Sequence, residues 1–292
     1  MTEQPKISQE MIRLYDEYTH LTLDRRDFLN KLTKIAGSAA AAAAIVPLLE
    51  ANKARAALVA EDDSRVTSES VTFPGGAGEM KGYLAWPAEG AGKLPAVLII
   101  HENRGLNPHT KDVARRMALE GFLALAADFL SPAGGTPENE DQAREMIGKL
   151  DQVATVKDAV ASVAFLKSHE RSNGKVGAVG FCWGGGLANQ IAIHSHDVVA
   201  VVSYYGRQPD PSEVAKIKAK VMAHYAGLDE RINAGIPDFQ KALETAKVDH
   251  AIHMYEGVNH AFNNDTSEAR YNKEAADLAW TRTVEFLKTN LG

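Results

Sequence analysis

The stretch Val179-Gly180-Phe181-Cys182-Trp183-Gly184-Gly185-Gly186 has the residue types and spacing that point most directly to chemistry. G-x-C-x-G is the thiol form of the G-x-S-x-G nucleophile elbow, a sharp strand-to-helix turn that lifts a nucleophile clear of a sheet. Glycines are needed because side chains on both arms of so tight a turn would collide. The following helix starts beneath the sulfur, and its free N–H groups and positive dipole end favour a thiolate and an oxyanion. The N–H of Trp183 is then one expected oxyanion donor, and the N–H of Asn103, in the loop after an early strand, is the second.

A cysteine nucleophile needs a base within reach, and the base needs an orienting acid. On this scaffold the chain order is nucleophile, acid, histidine. Asp229, in Tyr225-Ala226-Gly227-Leu228-Asp229, and His260, in Gly257-Val258-Asn259-His260-Ala261-Phe262, follow in that order, each just past a buried strand. Blander alternatives stand beside each: a small buried thiol for Cys182, a turn or N-cap carboxylate for Asp229, and a solvated loop histidine for His260. Each is reasonable singly, whereas three coincidences in the right order are much less so. A dinucleotide-binding turn fits poorly, because G-x-G-x-x-G is not met and the strand before the glycines is far into the chain. The remaining histidines lack this context. His194 and His196 are two apart at a helix end, and His250 and His253 fall on opposite faces of a strand. No metal and no cofactor is expected.

The elements that must position these residues read as strands alternating with helices. Val66–Phe73 and Met80–Trp86 alternate around Pro74-Gly75-Gly76-Ala77-Gly78, a hairpin signal. Buried strands are predicted at Ala96–Ile100, Phe122–Ala127, Lys175–Gly180, Val198–Tyr204, Val221–Tyr225 and His250–Tyr255. Helices are predicted at His109–Glu120, Glu138–Leu150, Val153–His169 and Trp183–His194, with a long last helix from about Ser267 to Thr289. This order predicts an α/β fold: a mostly parallel, doubly wound sheet with an antiparallel N-terminal hairpin. Ligands of such sheets bind outside the carboxyl ends of the strands. The candidates there are His101, Glu102, Asp128, Cys182, Tyr205, Asp229 and His260.

Residues 1–56 read as an address and 57–292 as one domain. Asp24-Arg25-Arg26-Asp27-Phe28-Leu29 precedes an Ala-rich apolar stretch from Ile35 to Leu49, and Ala54-Arg55-Ala56 follows. Paired arginines, a weakly hydrophobic core and a small-residue exit resemble a twin-arginine export signal. The bacterial periplasm is the compartment implied. An Ala-rich helix capped by Asp24 and an uncleaved anchor are the other options. The stretch is short for a membrane span, so no stable span is expected once the signal is removed. The 292 residues include 32 Lys+Arg, 38 Asp+Glu and one cysteine, with a net charge of −6. That balance argues against nucleic acid or an anionic membrane as partner, and a single cysteine excludes an internal disulfide framework.

From about residue 65 to 290 the chain resembles the dienelactone hydrolase family, known for carboxymethylenebutenolidase. The match runs through His101-Glu102-Asn103-Arg104-Gly105-Leu106-Asn107, Ser172-Asn173-Gly174-Lys175-Val176-Gly177, the Cys182 elbow, Tyr204-Tyr205-Gly206, Gly227-x-Asp229 and Gly257-x-x-His260-x-Phe262. The resemblance implies an α/β-hydrolase fold and a Cys182–His260–Asp229 triad. It also implies a thiol-activating or gating role for Glu102, tied to the thiol and taking its proton when substrate displaces it. A loop carboxylate paired with Arg104 is the plainer alternative for Glu102. Family members acting on dienelactone clamp the substrate carboxylate with arginines. Arg144 lies near one such place, while the other, four residues after the histidine, is Asn264; Tyr205 is a further candidate for substrate contact. The expectation is a hydrolase of small-molecule lactones or esters acting through an acyl-enzyme. The competing class is a ligand-binding or redox-sensing thiol protein on the same scaffold. The oligomeric state is left open by the sequence.

Overall fold

A computed structural model describes residues 6–20, 22–50, 57–90 and 92–292. Three capped helices come first. Ser8 caps Gln9–Thr19 (α1), Asp24 caps Arg25–Ala36 (α2) and Ser38 caps Ala39–Leu49 (α3), each side chain accepting a backbone N–H of the first turn. They share a small core of their own, in which Tyr15, Tyr18, Phe28, Leu32, Ile45 and Leu49 are buried. No single described helix is long and apolar enough to cross a membrane; α2 and α3 reach that only as a pair bent by 112°. The expected Ala54-Arg55-Ala56 exit lies outside the described residues.

Val66–Pro74 (β1) and Glu79–Pro87 (β2) form the expected antiparallel hairpin, with Phe73 opposite Met80. Leu94–Ile100 (β3) is apolar along its length because helices cover both faces of the sheet. Pro108–Leu119 (α4) follows, capped by Asn107, and then Leu123–Asp128 (β4). Two helices, Glu140–Gly148 (α5) and Gln152–Ser168 (α6), lead to Ser172–Phe181 (β5) and Trp183–His194 (α7). Val198–Tyr204 (β6), Lys220–Ala226 (β7), the short Glu230–Asn233 (α8), Ile236–Thr245 (α9), His250–Tyr255 (β8) and Lys273–Leu291 (α10) complete the order. The strands lie as β1-β2-β4-β3-β5-β6-β7-β8, with every pair from β4 onward parallel. Residues of α4 and α10 pack on one face; residues of α6, α7 and α9 pack on the other. This is the α/β-hydrolase arrangement.

The last helix begins six residues later than the sequence predicts. Between His260 and α10 the chain spends its hydrogen bonds on turns instead. Asn264 O accepts from Ser267 N, and Ser267 O accepts from Arg270 N and Tyr271 N. Asn272 then caps α10 by accepting from Ala275 N. Those turns carry Asn264 and Arg270 to the carboxyl end of the sheet.

Candidate active site

Cys182 stands at the junction of β5 and α7 with φ 56 and ψ −115, left-handed backbone that side chains seldom adopt. Two glycines make the junction possible. A Cβ at Gly180 would lie 2.0 Å from Gly184 O, and one at Gly184 would lie 2.5 Å from His101 O and Ile100 O. Cys182 N donates to Tyr204 O at 3.0 Å, tying the turn to β6. Trp183 opens α7, so its N–H is among those that no carbonyl of the helix can reach. Its ring stacks on His101 at 5.3 Å.

The structure brings Cys182, His260 and Asp229 together. Sγ of Cys182 and one ring nitrogen of His260 fall within one cluster whose donor atoms are no more than 4.8 Å apart. Nδ1 of His260 lies 2.5 Å from Asp229 Oδ2. Asp229 is also an N-cap, since its Oδ1 accepts from Ile232 N at 3.2 Å. The capping role and the orienting role are thus filled by different oxygens of one carboxylate. Nε2 of His260 is buried and makes no hydrogen bond of its own.

A residue the sequence reading passed over completes the group. His20, just after α1, places Nε2 at 3.3 Å from Cys182 Sγ. Its other nitrogen, Nδ1, lies 2.7 Å from the carbonyl oxygen of Asp16. The rings of His20 and His260 meet edge to face at 4.6 Å.

These neighbours set the charge of the group. Burial alone pushes the Cys182 thiol up, but the positive charge of His20 and His260, with the hydrogen bond to His20, outweighs it and brings the thiol down to about 6. Burial lowers His260, yet Asp16, the Cys182 sulfur and Asp229 together hold it well above the ordinary histidine range. Asp229, pushed up by burial, is drawn below the usual carboxylate range chiefly by His260. The arrangement is a thiolate facing imidazolium, in a site where Cys182 is 7% exposed. His20, Cys182 and His260 are also the right donor types for a soft or borderline metal ion.

The other expected residues take less uniform places. Glu102 accepts from Tyr205 Oη at 3.3 Å and from Asn264 Nδ2 at 2.8 Å. These contacts, rather than pairing with Arg104, occupy its carboxylate; the described hydrogen bond of the thiol is to His20. Asn103 lines the pocket, and its side-chain amide donates to Thr19 O. Tyr205 has φ 39, and its ring lies 4.8 Å from that of His260. Arg144 is turned to the N-terminal segment: it donates to Tyr18 O, and its guanidinium lies 3.9 Å from the centre of the Tyr18 ring. Asp128 accepts from Leu130 N, Thr136 N and Thr136 Oγ1, which makes it a turn anchor. His101 is buried, with Nδ1 on Glu102 O and Nε2 accepting from Phe129 N.

Arg104 and Arg270 line the same pocket as Cys182. Arg104 donates to Tyr15 Oη at 3.2 Å, and Arg270 lies over the Tyr15 ring at 5.0 Å. Arg104 stands inside the His101–Asn107 motif and could have been noticed there. Arg270 sits in what reads as the last helix, so its place in the pocket of Cys182 is hidden by the misplaced helix start.

The fold and the strand-end grouping of a buried thiol, imidazole and carboxylate define an α/β-hydrolase. The sequence pattern of the Dienelactone hydrolase family matches residues 80–291, and the chain belongs to that family. A YqhI-like pattern matches residues 2–37. The chain is 33% identical over 250 residues to a Saccharolobus solfataricus protein named "Putative carboxymethylenebutenolidase", covering 72% of this chain and 94% of that one. It is 48% identical over 112 residues to the Escherichia coli "Putative hydrolase fragment YghX", covering 38% of this chain and 96% of that one. The crystal structure of a dienelactone hydrolase from Anabaena variabilis superposes with a TM-score of 0.60 at 24% identity, covering 78% of this chain and all of that one. The protein is a hydrolase of the dienelactone hydrolase type.

Proposed function

We propose that the protein hydrolyses lactones or small carboxylic esters through an acyl-thioester on Cys182. The observation that carries the reading is the Cys182 sulfur at the start of α7, grouped with a His260 imidazole that is braced 2.5 Å from Asp229. The Cys182 thiolate attacks the carbonyl carbon, and the N–H groups of Trp183 and Asn103 receive the developing oxyanion. His260 protonates the leaving oxygen and then takes a proton from the water that cleaves the thioester, while Asp229 keeps its ring oriented. Arg104 and Arg270 in the pocket wall supply cations for a substrate that carries a carboxylate, in the absence of an arginine at Asn264. Carboxymethylenebutenolidase activity, carried in the name of the Saccharolobus relative, fits this chemistry.

Turnover of a panel of lactones and short acyl esters by the full chain, set beside Cys182→Ala and His260→Ala, tests the reading. Hydrolysis by the wild type that both variants lose, with circular dichroism unchanged, is the expected result. Equal turnover by the variants would reject it.

Export to the periplasm is the second part of the proposal and rests on the Arg25–Arg26 pair ahead of the Ala-rich α3. Lysine at both arginines is expected to retain the protein in the cytoplasmic fraction of its host. Unchanged fractionation would count against the twin-arginine route.

A further inference from the structure

The sulfur of Cys182 carries two imidazoles where the proposed mechanism uses one. His20 is held as a working base would be. Its Nδ1 faces the Asp16 carbonyl oxygen at 2.7 Å, an acceptor only, so Nδ1 carries a hydrogen. Nε2, at 3.3 Å from Sγ, is therefore free to share the proton of the thiol. The segment that delivers it is fastened to the body of the enzyme around the pocket rim. Arg144 donates to Tyr18 O, Asn103 donates to Thr19 O, and Tyr18 Oη donates to Asp141 at 2.7 Å. Arg13 and Glu230 pair at 3.0 Å, and Gln9 bonds Asn259, next to His260. The carboxylate that could otherwise serve the thiol, Glu102, is taken by Tyr205 and Asn264.

We infer that His20 is a catalytic residue, the base that accepts the Cys182 thiol proton. The inference rests on the cysteine-nucleophile reading and divides the proton work between the two histidines. The S–H proton passes to His20 Nε2 ahead of acylation, and the thiolate so formed makes the S–C bond as the carbonyl π pair moves to oxygen. When the intermediate collapses, the ester C–O bond breaks and the leaving oxygen takes a proton from the His260 imidazolium. In deacylation water adds to the thioester and gives one proton to the now neutral His260. The C–S bond then breaks, the sulfur takes back the proton from His20, and the starting protonation is restored. Ester and water have become acid and alcohol. The scheme requires residue 20 in the working enzyme, so the N-terminal segment acts uncleaved.

The test compares full-length wild type, His20→Gln and His20→Ala on an ester that the wild type turns over. Both variants should lose roughly 100-fold in kcat with little change in KM. The alkylation rate of Cys182 at neutral pH should fall with it. Added imidazole should restore a good part of kcat to His20→Ala, which has a gap beside the sulfur, and none to His20→Gln. A kcat equal to or above that of the wild type would overturn the inference, showing that the segment merely covers the thiol. A loss that imidazole does not restore to His20→Ala would overturn it as well. Failure of the wild type and of Cys182→Ala to differ would reject the cysteine reading itself, a separate result.

Discussion

Asn264 Nδ2 donates to Glu102 Oε2 at 2.8 Å, while the other Glu102 oxygen accepts from Tyr205 Oη. Both Asn264 and Glu102 line the pocket that holds the thiol. The position that could have clamped a substrate carboxylate thus secures a carboxylate of the protein instead. Removing the donor releases a negative charge into the wall facing the sulfur, and a nearby carboxylate disfavours the thiolate. Asn264→Leu should therefore raise the pH at which Cys182 becomes reactive by about half a unit or more, and should lower kcat/KM at neutral pH roughly tenfold. Alkylation rates against pH check the first part and steady-state kinetics the second.

The thiol, brought down to about 6 against burial by His20 and His260, sets a pH profile. The reactive form is the deprotonated one, so alkylation of Cys182 should be nearly flat above the midpoint and fall about tenfold per pH unit below it. A midpoint near 6 is expected from iodoacetamide kinetics. A midpoint in the usual thiol range of about 8.5 would mean that neither imidazole carries charge beside the sulfur.

The turn itself tolerates no added atom at Gly180. A methyl group there would meet Gly184 O at 2.0 Å, a contact with backbone that no rotamer relieves. Gly180→Ala should cost about 3 kcal/mol in urea unfolding and abolish turnover, since the elbow can open only by moving Cys182.

Arg144 serves the N-terminal segment. It is 4% exposed, donates to Tyr18 O and lies against the Tyr18 ring. Arg144→Leu should leave a buried carbonyl without its donor, at a cost of about 1–3 kcal/mol to the docking of α1. Hydrogen exchange should then quicken across residues 9–20 while the sheet keeps its protection. Unchanged exchange there would return Arg144 to the list of substrate-binding candidates.

The elbow, the acid and the histidine are readable in the sequence because each stands at a strand end, where local pattern and position in the fold coincide. Strand–helix alternation is carried by runs such as Ala96–Ile100, which survive in the structure almost residue for residue. The start of α10 is less legible: residues 267–271 have helix-compatible composition, and the competing side-chain and turn hydrogen bonds around Asn264 and Ser267 stop the helix from forming there. His20 is invisible for another reason. Its contact with Cys182 spans 162 positions, and its own neighbourhood, next to an arginine pair and an Ala-rich stretch, reads as an address. Nothing local marks a histidine that acts through tertiary packing. Arg144 and Asn264 sit close to the places the family resemblance gives them, yet their partners are Tyr18 and Glu102, which no spacing rule connects to them.

The covalent intermediate offers the most direct test. The full-length protein, mixed with a slowly deacylating ester and quenched in acid, should gain the mass of the acyl group, located by peptide mapping on the fragment containing Cys182 and absent from Cys182→Ala. Turnover that proceeds without any acylated Cys182, or an adduct on another residue, would contradict the thiol mechanism.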